Sequence, residues 1–313
     1  SRTMREKGSI MDIAVVGSNN VDLITYIERM PKIGETLEAP EFEMGCGGKG
    51  ANQAVAASRL GAEVRMITRV GNDIFAANTV KNFEDNGIDT EWVMETEASS
   101  GVAPIFVDQD SNNSIVIVKG ANGLLTPEDV ANAADVIAEC KLLVLQLEIP
   151  LETVYAAIDV AVERGVPVLL NPAPADTRLD PEYVAKCTYF VPNETELSLL
   201  AGKDVEELDE IRKAGKTILA ESNLENLIVT LGSRGSLWLT KDDDVLVESL
   251  QVDAVDSTGA GDAFIGCFAT RIVKGDDVPT ALETASRYAA NSVTKRGTQY
   301  SYATAEEFEA WKP

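Results

Sequence analysis

Short apolar runs alternate with stretches of helical period along most of this chain. Ile13–Gly17 is a continuous apolar run, the pattern of a strand buried on both faces. Ala51–Leu60, closed by Gly61, predicts a helix; Val64–Val70 predicts a strand, and Phe75–Asn86 before Gly87 a second helix. The glycines stand where helices commonly end in a left-handed cap. Leu142–Gln146 predicts another buried strand. Leu151, Val154, Ala157, Ile158, Ala161 and Val162 then recur at helical spacing as far as Gly165. Val166–Leu170 and Leu227–Leu231 predict strands, and Pro279–Val293 a helix. Such alternation builds parallel β-α-β units, so the predicted fold class is α/β.

Two stretches interrupt it. Residues 20–45 carry no helical period and contain Pro31, Gly34 and Pro40. Residues 101–118 read as a hairpin, Val102–Val107 and Ile115–Val118, around the turn-rich Gln109–Asn113. Both are expected to form a small β lid over the ligand edge of the sheet. Residues 1–10 are polar and patternless, and are expected to be a cloning remnant or a disordered tail. That leaves residues 11–313 as a single domain.

Composition narrows the function. In 313 residues, Lys plus Arg is 27 against 51 Asp plus Glu, a formal charge of −24. Phosphate backbones recruit basic patches, so nucleic acid is excluded as a main partner, and so is an anionic membrane surface. No apolar run approaches the roughly 20 residues of a membrane span, and the N-terminal stretch has no signal-peptide character. A cytoplasmic location is expected. Cys46, Cys140, Cys187 and Cys267 lack metal-ligand spacing and are expected to be reduced and mostly in the core. The chain has no histidine, which removes Ser-His-Asp triads and His-ligated zinc sites together. Acid–base chemistry must use carboxylates, Lys, Tyr or Cys.

The run from Asp256 to Phe264, DSTGAGDAF, sets a carboxylate behind a glycine-bracketed turn, where the small-residue segment Ala263–Val273 can begin a helix. Amides at a helix N-terminus lack intrahelical acceptors and favour anions. Gly259, Ala260 and Gly261 would hold a transferring phosphate while Asp262 takes a proton from an attacking hydroxyl.

Gly45–Gly50 spells GxGxxG. The dinucleotide fingerprint, however, belongs to the first strand–helix turn, and these glycines follow the irregular stretch. Nor is it a P-loop, because Gly50 stands where Ser or Thr should follow Lys49. Its glycines would instead let backbone approach a polar ligand, with Asn52 presenting donor and acceptor to hydroxyls. Asn20, Asp22 and Glu148 follow predicted strands, where open parallel sheets bind ligands. Asn193 and Glu196 also spell a capping box. Thr230–Gly235 is a glycine turn in which Arg234 is a candidate phosphate contact.

Taken together, five motifs in order resemble the ribokinase family of sugar kinases, and its ribokinase–deoxyribokinase branch in particular. They are GGKGANQA at 47–54, NPAPA at 171–175, NETE at 193–196, TLG at 230–232 and the block from Asp256 to Asp262. The resemblance runs from about Met11 to the C-terminus. It implies a ribokinase-like three-layer sandwich with a central, mostly parallel sheet and a small β-sheet lid that pairs with the lid of a second subunit in a homodimer. It implies ATP-dependent phosphorylation of a pentose 5-hydroxyl, D-ribose foremost, with 2-deoxyribose, fructose or a nucleoside as alternatives. By position Asp262 matches the catalytic base and Gly259, Ala260 and Gly261 the anion hole. Asn20, Asp22, Gly48, Lys49, Asn52 and Glu148 match the sugar side. Asn193, Thr230, Gly232, Gly235 and Ser286 match the nucleotide side, with Glu196 near Mg2+ and the phosphates. Ser286 stands where a larger ring-bearing or amide side chain often contacts adenine. A monovalent-cation (K+) site is implied at Asp256, Thr258, Ser292, Lys295, Gly297 and Ser301. Two readings from other classes are a nucleotide-dependent oxidoreductase using Gly45–Gly50 and a non-catalytic sugar-binding protein.

Overall fold

The computed structural model describes residues 11–313; the tail predicted at 1–10 lies outside the described residues. The first half of the chain runs β1 Met11–Val16, β2 Asn20–Tyr26, β3 Glu41–Gly47, α1 Lys49–Arg59, β4 Val64–Gly71, α2 Ala76–Asp85, β5 Val93–Thr96, β6 Val102–Val107 and β7 Asn113–Ile115. Then come α3 Pro127–Asn132, α4 Ala134–Ala138, β8 Cys140–Leu145, α5 Leu151–Glu163, β9 Val168–Leu170, α6 Pro181–Val184, β10 Tyr189–Phe190, α7 Glu194–Ala201 and α8 Leu208–Ala220. The last elements are β11 Asn226–Thr230, β12 Ser236–Leu239, β13 Asp244–Val247, α9 Ala260–Val273, α10 Val278–Val293 and α11 Ala305–Ala310.

Nine strands form the central sheet in the order β13-β12-β11-β10-β9-β8-β1-β4-β5. It is parallel except for β12 and β13, which add antiparallel at one end. Successive residues of β1 and β8 serve opposite faces, as a pleated strand buried on both sides requires. Ala14, Val16, Leu143 and Leu145 pack with Val154, Ala157 and Ile158 of α5. Ile13, Val15, Leu142 and Val144 pack with Val55 of α1, Phe264 and Phe268 of α9, and Tyr288 of α10. The result is the expected three-layer α/β sandwich. Among the described residues, no helix is long and apolar enough to cross a membrane.

The path of the chain creates the crevice. β1 lies between β8 and β4, and the chain leaves it into a separate sheet before returning to β4. A parallel sheet opens for ligands beyond the carboxyl ends of its strands where the strand order switches, here beyond β1 and β8. The second sheet, β3-β2-β6-β7, stands beside that opening. Its register pairs Met44 with Leu23 and Leu23 with Pro104. Those residues therefore share one face with Phe42 and Phe106, whereas Asn20 and Asp22 lie on the other.

Most boundaries differ from expectation by one or two residues, and three of the differences have a clear cause. The second hairpin strand, expected at Ile115–Val118, begins at Asn113, because Asn113 and Ser114 pair with Val107 and Phe106. The same register continues to Val118 through Val116 N–H to the Pro104 carbonyl (3.0 Å) and Val118 N–H to the Val102 carbonyl (2.9 Å). The helices expected from Ala51 and Ala263 begin at Lys49 and Ala260. Their first turns consist largely of small residues, which carry no apolar period to detect.

α1 and α9 touch through small residues. A Cβ placed on Gly266 would come within 2.6 Å of the Ala56 Cβ and 2.8 Å of the Gln53 carbonyl oxygen. This close approach brings Asp262, at the start of α9, over Asn52 and Gln53 of α1.

Candidate active site

Gly259 opens α9 at φ 77°, in the left-handed region, and a Cβ there would collide with Thr298 and the Tyr302 hydroxyl. Glycine is thus demanded twice, by conformation and by space. The Tyr302 hydroxyl donates to the Gly259 carbonyl at 2.7 Å. Ala260 N–H donates to the Ser257 carbonyl at 3.2 Å. The amides of Gly259, Gly261 and Asp262 find no acceptor among the described residues. A Cβ on Gly261 would meet nothing within 4 Å, so this turn presents free amides to open space. That is the arrangement an anion needs.

Asp262 is 5 % exposed. Its carboxylate accepts from Asn52 Nδ2 at 2.9 Å and Gln53 Nε2 at 3.0 Å. Burial pushes its pKa up, against the pull of the Lys49 charge and these two amides. Both amides are themselves oriented: Gln299 Nε2 donates to Asn52 Oδ1 (3.0 Å) and Gln146 Nε2 to Gln53 Oε1 (2.8 Å). Gln53 Nε2 also reaches Asn171 Oδ1 at 3.1 Å. Gln53 and Asn171 lie within motifs already singled out, but Gln146 and Gln299 carry no local signal and emerge only from the packing.

Around the crevice, Glu148 Oε1 accepts from the Ser18 hydroxyl and from Lys49 N–H, both at 2.7 Å. Half-buried Asp22 faces the same space. Desolvation, reinforced by the Glu148 charge, pushes its carboxyl up to about 7. A Cβ on Gly47 would collide with the Asp22 carboxylate, and one on Gly48 (φ 92°) would stand 2.8 Å from the Asn20 nitrogen. Asn20, 4 % exposed, accepts at Oδ1 from Asn122 Nδ2 at 2.8 Å. Lys49 makes no ion pair among the described residues, yet the charges of Asp262, Glu148 and Glu196 hold its ammonium above the usual range despite burial. The structure therefore gathers Asn20, Asp22, Gly48, Lys49, Asn52, Glu148 and Asp262 around one opening. Gly45 and Gly47 belong to strand β3, which precedes α1; the segment packs against the turn after β1 but does not itself form it, as a dinucleotide fingerprint would.

Of the residues expected on the nucleotide side, Asn193, Thr230, Gly232 and Gly235 follow β10 and β11, and Ser286 lies on α10. Asn193 and Thr230 form a parallel bridge. Asn193 caps α7 by accepting from Glu196 N–H at 2.8 Å, and Glu196 returns the bond at 3.2 Å. The capping box is real, and it leaves the second Glu196 oxygen free. Gly232 and Gly235 both have positive φ. Ser286 is buried with its hydroxyl unpartnered. Arg234, a candidate phosphate contact, is instead paired with Glu194 at 2.7 Å.

Asp256 stitches two loops together by accepting from Thr258 N–H and Gly297 N–H, each at 2.9 Å. Burial raises its pKa, but those bonds outweigh it and hold the carboxyl low. The carbonyls of Thr258, Lys295, Gly297 and Ser301 accept no hydrogen bond among the described residues, whereas that of Ser292 takes Lys295 N–H at 3.4 Å.

Residues 11–305 match the model of the pfkB family of carbohydrate kinases. A deoxyribokinase of Salmonella typhi is 56% identical over 302 residues, covering 96% of this chain and 98% of that one. A ribokinase of Mus musculus is 40% identical, covering 93% and 91%. The structure of an Arabidopsis thaliana ribokinase complexed with ribose and ATP superimposes with TM-score 0.91 at 30% identity, covering 96% of this chain and 97% of that one. The chain belongs to the pfkB family of carbohydrate kinases and is a phosphotransferase acting on a sugar hydroxyl.

The raised Asp22 carboxyl has a measurable consequence. Between its ordinary value of 3.8 and about 7, folded Asp22 holds a proton that the unfolded chain releases. Stability therefore falls as pH rises through this window and stays low above it. Asp22→Asn removes that cost. Its melting temperature should exceed the parent's at about pH 8, with a gap that narrows toward about pH 5. Coincident melting curves at the higher pH would contradict the assignment.

Proposed function

We propose that this protein transfers the γ-phosphoryl group of ATP to the 5-hydroxyl of a pentose, with D-ribose as the substrate. Residues 11–313 act as one catalytic domain, with the β3-β2-β6-β7 sheet as its lid. The observation that carries the ribose reading is Asn20. Its Oδ1 is occupied by Asn122, and its Nδ2 has no partner among the described residues and is not sealed. The Asp22 and Glu148 carboxyl groups accept hydrogen bonds from sugar hydroxyls, and the Asn20 amide donates one. A buried donor left without its hydroxyl penalises the deoxy analogue. The second reading is 2-deoxyribose, favoured by the 56% identity to the Salmonella deoxyribokinase.

Asp262 removes the proton of the 5-hydroxyl as that oxygen bonds the γ-phosphorus and the bond to ADP breaks. Burial strengthens it as a base, while the Lys49 charge and the Asn52 and Gln53 amides favour its ionised form. The free amides of Gly259 and Gly261 receive the transferring oxygens, and the charge on Lys49 offsets that of the phosphates. Asn193, Thr230, Gly232, Gly235 and Ser286 line the nucleotide side. The free oxygen of Glu196 suits magnesium, which characteristically keeps waters and takes one or two protein carboxylates beside the substrate phosphates. Bound there, the ion would neutralise phosphate charge. The unpaired carbonyls of Thr258, Lys295, Gly297 and Ser301 suit a monovalent cation such as K+, with Asp256 and Ser292 beside them. That cation would stiffen the loop behind Gly259.

The outer face of the lid supports a homodimer. Phe42 (60%), Met44 (45%) and Val116 (58%) are heavily exposed on it, and an apolar face of this kind marks an association surface. Four free cysteines fit a reducing cytoplasm.

Four outcomes are expected. Asp262→Asn should fold as the parent does but lose about 10² to 10⁴ in kcat; near-normal turnover would remove its assigned role. ADP release with magnesium-ATP, with and without potassium, should be greatest with ribose and lower with 2-deoxyribose, fructose and adenosine. Asn20→Met should shift kcat/KM toward 2-deoxyribose, and an unchanged ratio would contradict the pocket assignment. In light scattering after size-exclusion chromatography, Phe42→Asp should convert a dimer into monomers, and a monomeric parent would overturn the lid interface.

A further inference from the structure

Asn122 lies in the 3-10 turn Gly120–Leu124, 102 positions along the chain from Asn20, and is 2 % exposed. Its side chain makes three hydrogen bonds. Oδ1 accepts from Asn19 N–H at 3.0 Å, while Nδ2 donates to the Asn19 carbonyl at 2.9 Å and to Asn20 Oδ1 at 2.8 Å. Side-chain amides are ordinarily free to exchange their two ends, because oxygen and NH2 are nearly equal in size. Here they are not. Two of the partners are backbone atoms whose donor and acceptor character is invariant. Turning Asn122 over would set donor against donor and acceptor against acceptor on Asn19. With Asn122 determined, the Asn20 atom beside it must be the acceptor, so the Asn20 NH2 must point the other way. That nitrogen has no partner among the described residues and is not sealed from solvent. Gly101 leaves Asn122 no room to adjust, because a Cβ there would collide with Asn122 Nδ2 and stand 2.8 Å from the Asn19 carbonyl oxygen.

We infer that Asn122 is a positioning residue for sugar specificity. It holds the Asn20 carboxamide with its NH2 toward the substrate, and the pocket thereby favours a pentose bearing the hydroxyl that 2-deoxyribose lacks. The inference rests on the pentose-kinase reading above and assigns the origin of its selectivity. Asn122 touches no reacting atom; it acts through Asn20.

Asn122→Asp offers two acceptors in place of one and turns the Asn20 amide around. Asn122→Ala removes the constraint and leaves that amide free to turn. The test measures kcat/KM for ribose and for 2-deoxyribose in Asn122→Asp, Asn122→Ala, Asn20→Ala and the Asn20→Ala/Asn122→Asp double variant, with a thermal melt of each. Asn122→Asp should lower the ribose-to-deoxyribose ratio by about tenfold, the worth of one hydrogen bond, chiefly through the KM for ribose. Asn122→Ala should lower it less. In the double variant the ratio should equal that of Asn20→Ala, because the effect of Asn122 passes through Asn20. If either Asn122 variant lowers activity on both sugars alike, or its effect adds to that of Asn20→Ala, the role is merely structural and the inference falls. The Ala variant decides the matter if the Asp variant does not fold. A ratio that moves in Asn20→Ala but not in the Asn122 variants overturns the inference alone. A ratio unmoved by Asn20→Ala, or a parent inactive on both pentoses, overturns the pocket reading and the inference with it.

Discussion

A carboxylate sealed inside an apolar sandwich keeps its charge only where fixed dipoles answer it, and Asp262 depends on that condition. Burial alone would drive it toward the neutral acid. Two carboxamides point their NH2 groups at it, and each is held in that orientation by another carboxamide, Gln299 behind Asn52 and Gln146 behind Gln53. The whole array exists because α1 and α9 approach at Gly266 and Ala56, with no side chain between them. Small residues at a helix contact therefore have an electrostatic consequence at the site.

The same logic governs the pocket beyond it. Asp22, Glu148, Glu196 and Asp262 are carboxyl groups of a chain with formal charge −24, and burial, with the Glu148 charge beside it, pushes both Asp22 and Asp262 up. Lys49 stands among them without an ion pair, and its ammonium is stabilised by three of them at once. A cation shared in this way remains available to a further anion, whereas one closed into a bidentate pair does not. Arg234 shows the contrast: its pairing with Glu194 at 2.7 Å and with the Glu206 carbonyl commits it to the scaffold.

How much of this was legible beforehand follows from the range of each interaction. β1, β8 and α5 were readable because continuous apolar runs and a helical apolar stripe are local patterns. The Asn193–Glu196 cap was readable because its partners are three residues apart. The glycine turn before Asp262 was readable as chemistry, although the first turns of α1 and α9 were not, since Gly and Ala show no periodicity. Gln299 and Asn122 were invisible. Each acts on a residue more than a hundred positions away, and nothing near either in sequence distinguishes it from a surface amide. The hairpin strand was misplaced by its polar start, where Asn113 reads as turn and Ser114 as neither turn nor strand, yet both pair as strand.

The small sheet joins two functions by parity alone. Because a strand alternates faces, β2 sends Asn20 and Asp22 toward the crevice and Leu23 toward the outer apolar face. A slip of one residue would exchange those faces and turn Leu23 to the side that Asp22 now occupies. Register is therefore held from several sides. Val21 N–H bonds the Gly101 carbonyl at 2.9 Å, Asp22 packs on a glycine that admits no Cβ, and Asn19 is bound in both directions by Asn122. An exposed apolar face and the polar face that carries Asn20 and Asp22 are thus coupled through one strand.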